Sequence, residues 1–149
     1  MRLRQAYLVE QVLDLRAAAI AEWLSHDESW WAGFISHAEH SSDQLLVVAE
    51  MDDVVVGMAR VAIDSDNHEL SHFGMLYVEA PARGQGLGRE LLAAREAWAR
   101  EHGALAGEAW ITVGQTVSEE LHRSAGWLES SELRPASARS SEQIWRIEW

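Results

Sequence analysis

The chain has 149 residues, 48% of them hydrophobic, which suits one domain with a sizeable core and is too little for two ordinary ones, so residues 1–149 are read as a single domain. No cysteine occurs, which excludes disulfides, thiolate metal sites and a cysteine nucleophile. A formal net charge of -12 argues against a nucleic-acid partner, whose phosphates call for basic side chains, and favours a cationic or neutral substrate.

The opening Met1-Arg2-Leu3-Arg4-Gln5 lacks the apolar core of a signal peptide, and no window approaches the ~18 apolar residues of a spanning helix, so a soluble cytoplasmic protein away from membranes is expected. Leu3–Val9 reads as a first strand, and Gln11–Leu24 as a helix with Val12, Leu15, Ala19 and Trp23 at helical spacing. Ser25-His26-Asp27 supplies a turn and N-cap for a second helix over Glu28–His37. Leu45–Met51 and Val54–Ile63 form a β-hairpin around Asp52-Asp53, and the polar turn Asp64–Asn67 leads to a strand over His68–Val78.

Pro81–Gly88 then turns into a helix with Leu87, Leu91, Ala94 and Trp98 on one apolar face, ended by Gly103 as a left-handed cap. Ala106–Val113 reads as a fifth strand, Ser118–Ser124 as a short helix, and Trp127–Leu133 with Gln143–Trp149 as a closing strand pair. The Ser- and Ala-rich Arg134–Ser141 between them reads as a mobile loop. Strands followed by a helix crossing over to another strand predict an α/β fold with a mixed, mainly antiparallel sheet flanked by helices.

The informative segment is Leu76–Leu92, in which a β-run ends at Val78, Pro81 stops the ladder, and Gly84, Gly86 and Gly88 open a helix. Glycines allow close backbone approach, and the free amides and dipole of a first helical turn attract an anion, so the site calls for a phosphate. A Rossmann turn needs G-x-G-x-x-G after a first strand, whereas here the spacing is G-x-G-x-G after the fourth; a P-loop needs a lysine, and the chain has none.

What remains resembles the GNAT superfamily of N-acetyltransferases, whose pyrophosphate loop Q/R-x-x-G-x-G/A is matched by Arg83, Gly86 and Gly88 within a similar seventeen-residue context. The element order is also similar, and Ser118–Trp127 is similar to the family's A-x-x-L-Y-x-x-x-G-F segment, with Gly126-Trp127 in place of Gly-Phe. The resemblance implies a splayed sheet. It places the acetyl-CoA pyrophosphate on the loop, Arg83, Gly84, Gln85, Gly86, Leu87, Gly88 and Arg89, with the amides of Gln85 to Arg89 holding it. It places the pantetheine along Leu76, Tyr77 and Val78, where strands four and five part, and implies direct attack of an amine on the thioester without a metal.

His72 stands on strand four, where some members carry a general base, and His122 stands where many carry the tyrosine that protonates the leaving thiolate. Alternation puts Leu70, His72, Gly74, Leu76 and Val78 on one face of that strand and Ser71, Phe73, Met75 and Tyr77 on the other. Trp30, Trp31 and Phe34 lie on what resembles the acceptor side, where aromatic faces suit a cationic amine. Arg89, Arg95 and Arg100 are candidates for neutralising CoA phosphates, with Glu96–Arg100 as an i,i+4 pair on a solvated face. The expected activity is transfer of an acetyl group to a primary amine of a small molecule or peptide. The alternative is an acyl-CoA-binding regulatory module that has lost its tyrosine. The terminal strands and the number of tryptophans are compatible with a homodimer.

Overall fold

Seven strands among the described residues join in one sheet of order β1-β2-β3-β4-β5-β7-β6. The computed structural model describes residues 2–5, 42–137 and 140–149. The helices expected over Gln11–Leu24 and Glu28–His37, and with them Trp30, Trp31 and Phe34, lie outside the described residues.

The strands are β1 (Arg2–Gln5), β2 (Gln44–Met51), β3 (Val54–Ile63), β4 (Leu70–Val78), β5 (Ala106–Thr112), β6 (Leu128–Ser137) and β7 (Ser140–Glu148), and the helices are α1 (Leu87–Glu101) and α2 (Thr116–Ser124). Every neighbouring pair is antiparallel except β4 and β5, which run parallel and therefore need the crossover that α1 supplies. The β2–β3 hairpin turns on Asp52 and Asp53, both left-handed at φ 50° and 62°, a conformation that short polar side chains tolerate. Gly103, at φ 91°, ends α1 with the Ala104 amide donating to the Ala99 carbonyl and the Gly103 amide to that of Arg100, the Schellman pairing.

Val61, Phe73, Leu92, Ala99, Ala109, Trp127 and Trp145 form one apolar cluster, and Val47, Ala49, Ala59, Leu87 and Leu91 another, so both clusters lie between the sheet and α1. Gly107 sits against the first. A β-carbon there would come within 2.9 Å of the Trp127 ring, so only glycine lets that ring close over β5.

Four expectations require correction. Arg134–Ser141, read as a loop, is strand at all of its described residues, with Arg134 opposite Glu142 and Pro135 opposite Ser141. The Arg134 guanidinium lies 3.9 Å from the Trp110 ring centre and 3.3 Å from the Glu142 carboxylate, and Pro135 is tolerated because β6 is an edge strand. Arg95 is not a surface cation but is 1% exposed within the stripe Leu87, Leu91, Leu92, Arg95 and Ala99. Glu96 accepts from the indole nitrogen of Trp127 at 2.7 Å, which ties it to the core rather than to a solvated charge pair.

Alternation along β4 is the fourth correction. It holds only as far as Gly74, because Arg60 faces Gly74 and Met58 faces Tyr77, so Ala59 alone stands opposite both Met75 and Leu76. Met75 takes φ 58°, and this β-bulge reverses the faces beyond it. Leu76 and Val78 join Phe73 on the α1 side, packed against the Leu87 and Leu91 cluster. Tyr77 crosses to the face of Met58 and hence of His72, whose partner is Ala62 on the same side of β3.

Candidate active site

Beyond the bulge, β4 and β5 part. Their pairing covers Leu70–Phe73 against Ala106–Ala109, yet β4 continues to Val78 and β5 to Thr112, so among the described residues the ladder between the two strands ends at Phe73 and Ala109. Arg95 braces the point of parting. Its Nη1 donates to the carbonyls of Arg60 at 3.2 Å and Gly74 at 3.4 Å, the pair bordering the bulge, and its Nε to that of Leu91 at 3.3 Å. Burial lowers the guanidinium pKa to about 9, which leaves it charged at neutral pH.

The chain leaves β4 through the single turn Ala80–Ala82 and arrives at α1 with Gly84 and Gly86 left-handed at φ 80° and 84°. Gly86 is the N-cap of α1 and no side chain caps this end. Among the described residues, none of the amides from Gly84 to Arg89 donates to a carbonyl outside the helix, and those of Leu87, Gly88 and Arg89 precede the first intrahelical acceptor. Gln85, Gly86 and Arg89 are exposed while Leu87 is buried, so the turn presents the positive end of the helix dipole at the surface. Leu87 anchors the turn in the core, and Gly88 lets α2 approach, a β-carbon there standing 3.4 Å from Leu121. Arg83 is exposed, donates from Nε to the Val78 carbonyl at 2.7 Å, and places its guanidinium 5.6 Å from the Tyr77 ring centre.

On the sheet face away from α1, His72 lines an open depression of about 290 Å³ with Asp43, Gln44, Arg60, Ala62, Ile63, Asp64 and Ser65. Its Nε2 lies 2.7 Å from Asp64 Oδ2, a contact that the turn-like composition of Asp64–Asn67 does not signal. The hydrogen bond from His72 and those from the Asp66 and Asn67 amides lower the Asp64 pKa, in that order. His72 is one residue short of the last paired position of β4, beside the place where the strands part.

His122 is elsewhere. It is 3% exposed, its Nδ1–H donates to the Ser118 carbonyl at 2.8 Å, and its ring meets Trp127 edge-on at 5.2 Å, in the core on the α1 side. The sheet therefore separates the two histidines. Desolvation lowers the His122 pKa to about 4, outweighing the Ser118 hydrogen bond, with nearby Arg95 lowering it further. Neutral and with its Nδ1 proton engaged, the ring has no second proton to give near pH 7.

This burial has a signed consequence. The folded-state pKa lies below the ordinary 6.5, so the neutral ring's contribution to stability is complete above pH 6.5 and is lost as pH falls toward about 4. His122→Phe keeps the aromatic contact with Trp127 and should remove on the order of 2–3 kcal/mol of that acid loss. Urea unfolding of both proteins at pH 7 and pH 4.5 reads it as a difference of differences; equal acid sensitivity would contradict it.

Among the described residues no helix is long and apolar enough to cross a membrane, and no group of three or more His, Asp or Glu side chains is arranged to hold a metal ion. An uncapped helix start beside a forked parallel strand pair is a setting for an anionic, extended ligand. The chain belongs to the Acetyltransferase (GNAT) family, whose profile matches residues 8–127. No curated protein sequence matches it. Among solved structures, the ribosomal-protein-alanine N-acetyltransferase of Brucella melitensis shares the fold at a TM-score of 0.83 and 22% identity, over 100% of both chains. A phosphinothricin acetyltransferase of Sinorhizobium meliloti, solved in complex with acetyl-CoA, gives 0.82 and 19% over 99% of this chain and 87% of its own. An N-acetyltransferase of Staphylococcus aureus gives 0.79 and 18%, over 99% and 97%.

Proposed function

We propose that the protein transfers an acetyl group from acetyl-CoA to a primary amine of a small molecule or peptide, by direct attack of the amine. The observation that carries this reading is the opening between β4 and β5, which has the free amides of the α1 start at one end and His72 at the other. The residues fit the ligand. The amides of Gln85 to Arg89 would hold its pyrophosphate, with Gly84 and Gly86 placing no β-carbon in the turn, and Leu76, Tyr77 and Val78, beyond the end of the β4–β5 ladder, would run beside its pantetheine. Arg83, already steadied on Val78 and Tyr77, would add charge at the same end. Bound acetyl-CoA supplies an activated acetyl group on a thiol leaving group; direct attack by the amine needs no metal.

His72 would take the proton that an alkylammonium, of pKa near ~10, must lose before it can attack. The acid role expected of His122 is left out of this scheme, because burial keeps that ring neutral; a thiolate of pKa near ~8.5 leaves without an adjacent donor. The acceptor's ammonium suits the depression bearing Asp43 and Asp64, and the net charge of -12 favours cations generally. Trp30, Trp31 and Phe34 are proposed as its aromatic contacts on the resemblance alone. The missing acid is also what favours the second reading, a module that binds acyl-CoA without turnover. Incubation with acetyl-CoA and a panel of small primary amines and peptides tests the proposal by mass spectrometry: one acceptor gaining a single acetyl group supports it, and an unmodified panel contradicts it.

A further inference from the structure

We propose that Asp64 is a positioning residue that fixes the His72 ring with its proton on Nε2 and its lone pair on Nδ1, making Nδ1 the atom that deprotonates the acceptor. The proposal rests on the reading of His72 as the base.

Asp64 is itself held on four sides. Its amide donates to the Leu70 carbonyl at 2.9 Å, which closes the β3–β4 turn across the first residue of β4. Its Oδ1 accepts the amides of Asp66 at 2.9 Å and Asn67 at 2.8 Å, so the carboxylate plane is set by the turn. The remaining oxygen, Oδ2, meets His72 Nε2 at 2.7 Å. An ionised carboxylate only accepts, so Nε2 must carry the hydrogen of the neutral ring and Nδ1 the lone pair. Nδ1 makes no hydrogen bond among the described residues, and the side chain is 37% exposed.

Among the described residues, the other charged groups around His72 come from the elements beside it. Arg60 and Asp43 line the same depression, and Arg60 is bonded through Nε to Gln44 at 2.9 Å. Glu108 stands opposite His72 on β5 and is held by Arg146 of β7 at 3.3 Å. Among the described residues, Asp64 is the carboxylate bonded to the imidazole, and the two turn amides keep it ionised and aimed. When the acceptor's ammonium gives its proton to Nδ1, the ring becomes cationic beside a carboxylate that keeps its charge, and the amine is left neutral for attack. No other bond changes in this step.

The turn makes Asp64→Asn unusually informative. The two amides need an acceptor, so the carboxamide oxygen must stay where Oδ1 was, and the NH2 group then faces His72. A donor in that place can bond only to an unprotonated Nε2, so the ring proton moves to Nδ1 and the base is lost, although the turn keeps its acceptor. The expected result is a fall in kcat/KM of about 100-fold or more with KM for acetyl-CoA and Tm near wild type; a wrongly set catalytic imidazole elsewhere costs up to about 10⁴-fold.

Nitrogen-15 NMR of the histidine rings supplies a readout that a merely structural role would not move: wild type should show Nε2–H at His72 and the variant Nδ1–H. Should Asp64→Asn fail to fold, the wild-type spectrum alone decides, since Nδ1–H there overturns the proposal. Wild-type kcat/KM in Asp64→Asn, with His72→Ala impaired, overturns the role of Asp64 while leaving the base intact. Wild-type rates in both variants overturn the base reading itself.

Discussion

Gly86→Asp should abolish measurable acetyl-CoA binding while leaving the domain folded. Gly86 is left-handed at φ 84° and an ideal β-carbon there meets no atom within 4 Å, so the substitution creates strain without a clash. Aspartate is among the few side chains that tolerate this backbone, and the strain costs roughly 1–2 kcal/mol. The carboxylate then stands at the uncapped start of α1, where it repels a pyrophosphate and competes for the amides of Leu87 to Arg89. A loss of at least about 100-fold in affinity, about 2.7 kcal/mol, should be read by calorimetry, with circular dichroism confirming the fold. Arg83→Ala in the same assay should lose less, because its guanidinium is one contact beside a backbone cradle that stays in place. Unchanged affinity in a folded Gly86→Asp protein would remove the basis for placing the pyrophosphate there.

His72→Ala should lower kcat/KM at pH 7 by roughly 100-fold or more and recover part of it as pH rises toward the acceptor's own pKa. The recovery follows because solvent delivers more free amine at high pH and makes the missing base less necessary. The side chain lines a solvent-open depression and is 37% exposed, so its removal leaves no buried cavity and stability should hardly change. The profile of kcat/KM against pH, with acetyl-CoA affinity measured separately, separates lost chemistry from lost binding. A parallel drop at all pH values would show that His72 positions the acceptor instead; no drop would end its assignment as base.

The phosphate-binding turn was legible in the sequence because its signal is local. Left-handed positions favour glycine, and Gly84 and Gly86 occupy them at φ 80° and 84° between a strand end and an apolar helical face. The meander and Gly103 were legible for the same reason. What depends on distant partners was not. The bulge at Met75 carries no glycine or proline of its own, and it swaps the faces of Leu76, Tyr77 and Val78. Arg95 read as a surface charge because nothing local indicates that its guanidinium will serve the carbonyls of Arg60 and Gly74. The pairing of Asp64 with His72 depends on how the β3–β4 turn closes, and the burial of His122 on the ring of Trp127. The strand character of Arg134 and Pro135 arises from pairing with β7, which overrides a loop-like composition.

Turnover is the central expectation, and release of free CoA tests it most directly. The chain has no cysteine, so a thiol reagent in the assay reports CoA without background from the protein. With acetyl-CoA alone the signal should stay near the blank; with the right primary amine it should rise in proportion to protein and saturate with acceptor. Tight acetyl-CoA binding without amine-dependent thiol release across the panel would contradict the enzyme reading and leave an acyl-CoA-binding module.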